Sequence, residues 1–310
     1  MYKKKMVVLG LITAGLLGGA SESLARDERN PINHEEYHPT DYILAPSSVI
    51  REAIFSSIEG ELYSQRRDDV LAELVSQYTA HSTISKEYGA YAEHFGWEDV
   101  RETRSFEGVN YLTNLKEISH EGGAIYDLRP ISDLVELTAI EIDLQAGVSN
   151  LNALSRLTNL TTLHFSTRAD RYYEDVTNGN LALTDISALD NMDQLEEIDI
   201  NSRGELQPIV LRRGTTSYEL FDPIIVSKQF EGATIEYSSY DSDFSVQDGT
   251  LIWNNITEGV EVIDEDGESY FEEARTEEVT FKWLIKAKPD ARGWYRFIYE
   301  GDATIPIVWK

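Results

Sequence analysis

The chain has 310 residues, with 27 Lys and Arg against 55 Asp and Glu, a formal net charge of −28, and no cysteine. A charge that negative repels phosphate backbones and anionic surfaces, which argues against nucleic acid as a partner and favours one that carries a basic patch. Without cysteine there are neither disulfides nor a lipid-modified Cys, so stability must come from hydrophobic cores, and 41% apolar content supplies two or three of them.

Residues 1–25 read as a secretory signal peptide: Lys3, Lys4 and Lys5, an apolar run from Val7 to Ala20, then the small-residue end Ser23-Leu24-Ala25. The run is shorter than the roughly 20 residues that span a bilayer. No later segment is apolar enough to cross one, so the expectation is an exported chain with no membrane insertion. Residues 26–44, charged and broken by Pro31 and Pro39, read as a flexible leader. Residues 45–98 read as a helical cap, because Val49, Ile50, Ala53, Ile54 and Ile58, and then Val70, Leu71, Leu74, Val75 and Tyr78, recur at helical spacing behind Pro46 and Ser47.

Residues 99–203 contain an internal repeat of about four to five units. The pattern L-x-x-L-x-x-[LI] occurs as Leu112-Leu115-Ile118, Leu134-Leu137-Ile140, Leu157-Leu160-Leu163 and Met192-Leu195-Ile198. A second half accompanies it: Ser105-Phe106 with Val109, Asp127-Leu128 with Ile131, Asn150-Leu151 with Leu154, and Asp185-Ile186 with Leu189. The spacing predicts one short strand and one tight return turn per unit, with the leucines inward. A single unit cannot bury its apolar side, so units must stack into a solenoid. Residues 166–181 are extra and read as a loop insertion.

Residues 204–310 change texture to short alternating runs between turn residues, such as Ile224-Ile225-Val226, Thr250-Leu251-Ile252-Trp253, Val279-Thr280-Phe281-Lys282-Trp283 and Trp294-Tyr295-Arg296-Phe297. About seven strands with Asp248-Gly249, Asp266-Gly267 and Arg292-Gly293 among them predict a β-sandwich. The helices would cover one open end of the solenoid and the sandwich the other.

Ser105-Phe106-Glu107-Gly108-Val109-Asn110-Tyr111-Leu112-Thr113-Asn114-Leu115, Leu157-Thr158-Asn159-Leu160-Thr161-Thr162-Leu163 and Thr184-Asp185-Ile186-Ser187-Ala188-Leu189 resemble the internalin-like leucine-rich-repeat proteins of Gram-positive bacteria. Asp248-Gly249-Thr250-Leu251-Ile252-Trp253-Asn254 and Glu278-Val279-Thr280-Phe281 are similar to that family's immunoglobulin-like domain. The resemblance implies an α/β leucine-rich-repeat solenoid with an N-terminal α-helical cap and a C-terminal immunoglobulin-like β-sandwich. It further implies a secreted or cell-surface protein that binds other proteins, commonly on a host cell, through the concave strand face. The repeats are few, Gly123, Gln145, Arg168 and Arg203 stand where the family has a loop Asn, and no wall-anchoring signal is present, which fits a small secreted member. The alternative is a structural component of the producer's own surface, held by the terminal domain to wall polymer or a wall protein. Trp283-Leu284-Ile285 with Pro289 resembles the W-x-L wall-binding motif and would give weak wall association, but an edge-strand Trp explains it equally.

Alternation along the repeat strands leaves the residues between the inward Leu and Ile exposed. These are Glu117 and Ser119, then Ala139, Glu141 and Asp143, then Thr162, His164 and Ser166, then Glu197, Asp199 and Asn201. Singly each is an ordinary solvated side chain; together they form an acidic strip suited to a basic protein surface. Arg168, Arg171, Tyr172 and Tyr173 in the insertion are of the types enriched at binding hot spots.

His34-Glu35-Glu36-Tyr37-His38 matches the H-E-x-x-H zinc string. It lies between two prolines with no domain before it, so no zinc chemistry is expected. Asp241-Ser242-Asp243 and Asp264-Glu265-Asp266-Gly267-Glu268 offer oxygen-rich loops for calcium, without EF-hand spacing. No nucleophile elbow or phosphate loop occurs, so the expectation is a binding protein with neither catalytic residues nor a cofactor.

Overall fold

A computed structural model describes residues 41–81, 84–97, 103–144, 148–167, 181–263 and 269–310. The protein is β-rich, with two α-helices among the described residues. Helix α1 (Ser48–Ser64) starts at Ser47, whose hydroxyl accepts the Ile50 N–H, and buries Ile50, Ala53, Ile54, Ile58 and Leu62. Helix α2 (Asp68–His81) opens with Asp68 and Asp69, which complement the positive end of its dipole. It is tied to α1 by stacking of Tyr78 on Phe55, ring centroids 4.1 Å apart. A six-residue 3₁₀ segment, Lys86–Tyr91, follows, and then strand β1 (His94–Trp97).

Strand β1 differs from the helical reading of 45–98. It is four residues long, too short to show a period, and it pairs in parallel with β2 (Glu117–Glu121). Strands β3 (Ala139–Asp143), β4 (Thr162–Thr167) and β5 (Glu197–Glu205) continue the parallel sheet. Glu117 faces Ala139, Ala139 faces Thr162 and Thr162 faces Glu197, steps of 22, 23 and 35 residues; the third step spans the insertion.

The return turns repeat in atomic detail. Val109–Tyr111, Arg129–Ile131, Asn152–Leu154 and Ser187–Leu189 are single 3₁₀ turns. The last three are opened by a side-chain oxygen that accepts the N–H of the turn's first residue, two positions on: Asp127 to Arg129, Asn150 to Asn152 and Asp185 to Ser187, at 2.9–3.2 Å; the same bond from Ser105 to Glu107, at 3.0 Å, precedes the first. Each turn then accepts the N–H of the next inward residue (Leu112, Leu134, Leu157, Met192). Asn114 and Asn159 donate to the carbonyls of Ala90 and Val135, one unit earlier, so units are joined by side chains as well as by strands. All twelve inward Leu, Ile and Met positions of the repeat are buried.

The sheet does not stop at β5. Strand β14 (Tyr295–Trp309) pairs in parallel with β5 and antiparallel with β13 (Glu278–Pro289); β8 (Ile235–Ser238) lies on the far side of β13, and β6 (Ile209–Leu211) pairs with the end of β14. The strand order is β1-β2-β3-β4-β5-β14-β13-β8, so the chain's last strand covers the open edge left by the last repeat. Two side chains complete that cover. Tyr299 donates its hydroxyl to the Leu183 carbonyl at 2.7 Å, and the Gln229 amide donates to the carbonyls of Leu189 and Met192.

Three further strands, β7 (Ser217–Phe221), β9 (Phe244–Gln247) and β10 (Thr250–Asn254), form a separate sheet ordered β7-β10-β9. Strands β11 (Val260–Ile263) and β12 (Ser269–Glu273) pair with each other. Trp253 of β10 sits among Tyr218, Phe244 and Phe281, and Trp283 bridges Phe281 and Tyr299, so an aromatic core joins the small sheet to β13 and β14. Trp283 is 2% exposed on a strand paired on both sides, so the edge-strand reading of this Trp does not hold.

Candidate functional site

A parallel sheet without register slip turns alternation along each strand into rows across it. One row is His94, Glu117, Ala139, Thr162 and Glu197; the next is Gly96, Ser119, Glu141, His164 and Asp199; the third is Glu121, Asp143, Ser166 and Asn201. Neighbours in a row are about 4.8 Å apart through the backbone. Ile118, Ile140, Leu163 and Ile198 point the other way and are buried, so these rows line one face of the sheet. Glu121, absent from the sequence-derived set, belongs to it by the same alternation; the Gly122-Gly123 pair after it disguised the strand's end.

Six carboxylates, from Glu117, Glu121, Glu141, Asp143, Glu197 and Asp199, are exposed on this face, two on each of β2, β3 and β5. Two imidazoles stand among them. His164 Nε2 lies 3.1 Å from Glu197 Oε1; His94 Nδ1 lies 2.7 Å from Glu61 Oε1 and its Nε2 3.6 Å from Glu117 Oε2. Such pairs between exposed groups add little stability. Together the carboxylates give the face a negative potential, able to steer a cationic partner into contact.

Charge changes sign beyond β5. Between positions 282 and 296 lie Lys282, Lys286, Lys288, Arg292 and Arg296 against the single acid Asp290. That carboxylate is engaged in the β13–β14 turn, accepting the N–H groups of Arg292 at 2.7 Å and Trp294 at 3.0 Å. The hairpin presents Trp294, 74% exposed, and Tyr295 beside these cations.

Other sequence candidates have different fates. Arg168, Arg171, Tyr172 and Tyr173, the His34-to-His38 string, the signal segment and the loop 264–268 lie outside the described residues. Asp241 is a structural residue: its carboxylate accepts the Trp253 indole N–H at 3.0 Å, the Thr280 N–H at 2.7 Å and the Ser239 hydroxyl at 3.0 Å. Those bonds anchor β10 to β13 and leave a calcium role for that acid without foundation. Among the described residues no three His, Asp or Glu side chains converge as metal ligands, and no helix is long and apolar enough to cross a membrane.

One titratable group went unnoticed in the sequence. His120 lies on the inner side of β2, 3% exposed, against Phe106, with Nε2 3.1 Å from the Gly122 carbonyl. Burial pushes its pKa below the ordinary imidazole value, opposed by the bond to Gly122. It belongs to the core rather than to the strip.

No protein-family model matches the chain, and no curated protein does. Solved structures with partial similarity include three Listeria monocytogenes proteins of the internalin family of leucine-rich-repeat proteins. Internalin C2 is 19% identical, with 42% of this chain and 73% of that one covered and a TM-score of 0.25. The functional domain of InlJ is 13% identical, covering 64% and 50%, with a TM-score of 0.22. InlP is 11% identical, covering 83% and 98%, with a TM-score of 0.17. This chain therefore matches only half the length of the InlJ domain. Superpositions this loose carry no residue roles from one protein to the other.

Proposed function

We propose that this protein is a secreted or cell-surface binding module without catalytic activity, which recognises a protein partner through the acidic strip. In this reading residues 99–203 are a leucine-rich-repeat solenoid, 45–98 its N-terminal cap and 204–310 an immunoglobulin-like β domain, preceded by a signal peptide and a leader. The observation that carries the reading is the in-register alignment of exposed residues on β2 to β5. It sets Glu117, Ser119, Glu141, Asp143, Thr162, His164, Glu197, Asp199 and Asn201 side by side on a rigid backbone. A preorganised face loses little conformational freedom on binding, and its charge selects a partner with a basic patch. Arg168, Arg171, Tyr172 and Tyr173 follow β4 in the chain, and in this reading they would add aromatic and guanidinium contacts to the strip.

The test is affinity capture from host-cell lysate and from the producer's wall extract, with the wild-type chain beside a variant carrying Glu141→Lys, Asp143→Lys, Glu197→Lys and Asp199→Lys. A protein retained by the wild type and lost by the variant supports the reading; equal retention removes the strip as the interface.

A second reading has its own observation. The cationic β13–β14 hairpin with exposed Trp294 is a local exception in an acidic chain and suits an anionic wall polymer of the producing cell. Retention by wall material that survives the four-Lys variant but falls with Arg292→Glu and Trp294→Ala would favour this one.

A further inference from the structure

A cavity of about 390 Å³ lies where β5, β14, β13 and β8 meet. Its lining follows from the register. Asn201, Glu300, Leu284 and Glu236 form one row across these strands, and Arg203, Asp302, Lys282 and Ser238 form the next. Both rows alternate with the buried Ile200, Tyr299, Trp283 and Ile285, so they continue the face that carries the acidic strip. Tyr240, 64% exposed, closes one side: its hydroxyl lies 3.4 Å from Asp302 Oδ2, and Lys282 Nζ is 3.6 Å from its ring centroid. The Asn201 amide donates to Glu300.

The chemistry of this lining differs from that of the strip. Three carboxylates and two cations are interleaved at one-strand spacing, so the local fields largely cancel, while acceptors and donors remain adjacent. A strong anion meets Glu236, Glu300 and Asp302; a strong cation meets Arg203 and Lys282. A neutral hydroxyl group both donates and accepts, and vicinal hydroxyls span a carboxylate and a neighbouring cation. Leu284 supplies an apolar floor, and Tyr240, covered on one face by Lys282, offers its remaining exposed ring surface to the C–H face of a sugar ring. The volume falls within the range of about 300–1,000 Å³ typical of small-ligand pockets, and the lining side chains stand on paired strands instead of loops, Tyr240 excepted. From this arrangement we propose that the cavity is a carbohydrate site taking the end of a neutral saccharide. It shares only Asn201 with the strip set, and its occupancy does not depend on the strip's role.

Saturation-transfer NMR on the full chain, with maltotriose, chitotriose and mannotriose as separate probes, tests the proposal. At least one trisaccharide should receive saturation, with an affinity that is unchanged between low and high salt because the ligand carries no charge. Tyr240→Ala should weaken it about tenfold or more, the equivalent of one stacking contact, and Asp302→Asn should weaken it as well. Tyr240→Phe, which keeps the ring, should retain most of the binding and guards against misfolding of the alanine variant. The four-Lys strip variant should bind the saccharide like the wild type even if it loses its protein partner, so the two readings fail separately. Absence of transfer to all three saccharides, or transfer unaffected by both Tyr240→Ala and Asp302→Asn, would overturn the proposal.

Discussion

Gly301 shows how a single residue is determined by a partner that lies eighteen positions away in sequence. A Cβ built on it would fall 2.1–2.6 Å from the Trp283 indole, which lies flat over the glycine across the β13–β14 ladder. Gly301→Ala should therefore lower stability by about 1–3 kcal/mol through overpacking, read as a shifted urea midpoint; an unshifted midpoint would mean that the indole moves aside freely. His120 makes a second prediction. Its folded-state pKa is depressed by burial, so protonation favours the unfolded chain. Its contribution is present in full above the unfolded value of about 6.5 and is lost as pH falls from there toward the folded value. Stability of the wild type should decline more steeply than that of His120→Gln between about pH 6.5 and 5, and parallel profiles would contradict the assignment. Neither residue was legible as special in the sequence, because Gly301 depends on an indole and His120 on Phe106. The inward leucines and outward acids were legible, since alternation and the repeat spacing state them directly.

At the scale of elements, the return turns were readable because each repeats the same short pattern: Ser105, Asp127, Asn150 and Asp185 all bond two residues ahead. Asn150→Ala, which removes only that bond, should cost about 0.5–1.5 kcal/mol, measured by chemical unfolding; a neutral effect would show that the turn holds without it. Strand β1 was hidden, because four residues carry no periodicity. The ranges of β13 and β14 were underestimated, since their twelve and fifteen residues include Lys286, Glu300 and Asp302, which interrupt the apolar pattern without interrupting the ladder. The parallel pairing of β14 with β5 had no signal at all in sequence. It depends on edge carbonyls and on Tyr299 and Gln229 reaching back by 116 and 40 residues.

For the whole molecule, that pairing means that eight strands form one continuous path from β1 to β8. Unfolding of one part exposes the edge of the other, so the chain should unfold in a single cooperative step, with Trp fluorescence and far-UV circular dichroism coinciding. Four of the five Trp residues (Trp253, Trp283, Trp294, Trp309) follow position 204 and report on that half. Two resolved transitions would show that the repeat stack stands without β14. The continuous sheet also gives the molecule one face with three chemistries: carboxylates on β2 to β5, a mixed polar cavity at β14, β13 and β8, and a cationic hairpin beyond. The strip follows from alternation and the cationic hairpin is one contiguous stretch of sequence, whereas the cavity requires β5, β8, β13 and β14, distant in sequence, to become neighbours.

The most direct test of the central claim is the association rate of a captured partner with the wild-type chain and the four-Lys strip variant at low and physiological salt. A strip that steers its partner predicts a wild-type rate that falls as salt rises, a much slower rate for the variant, and little change in dissociation. Equal association rates for the two proteins, insensitive to salt, would contradict it.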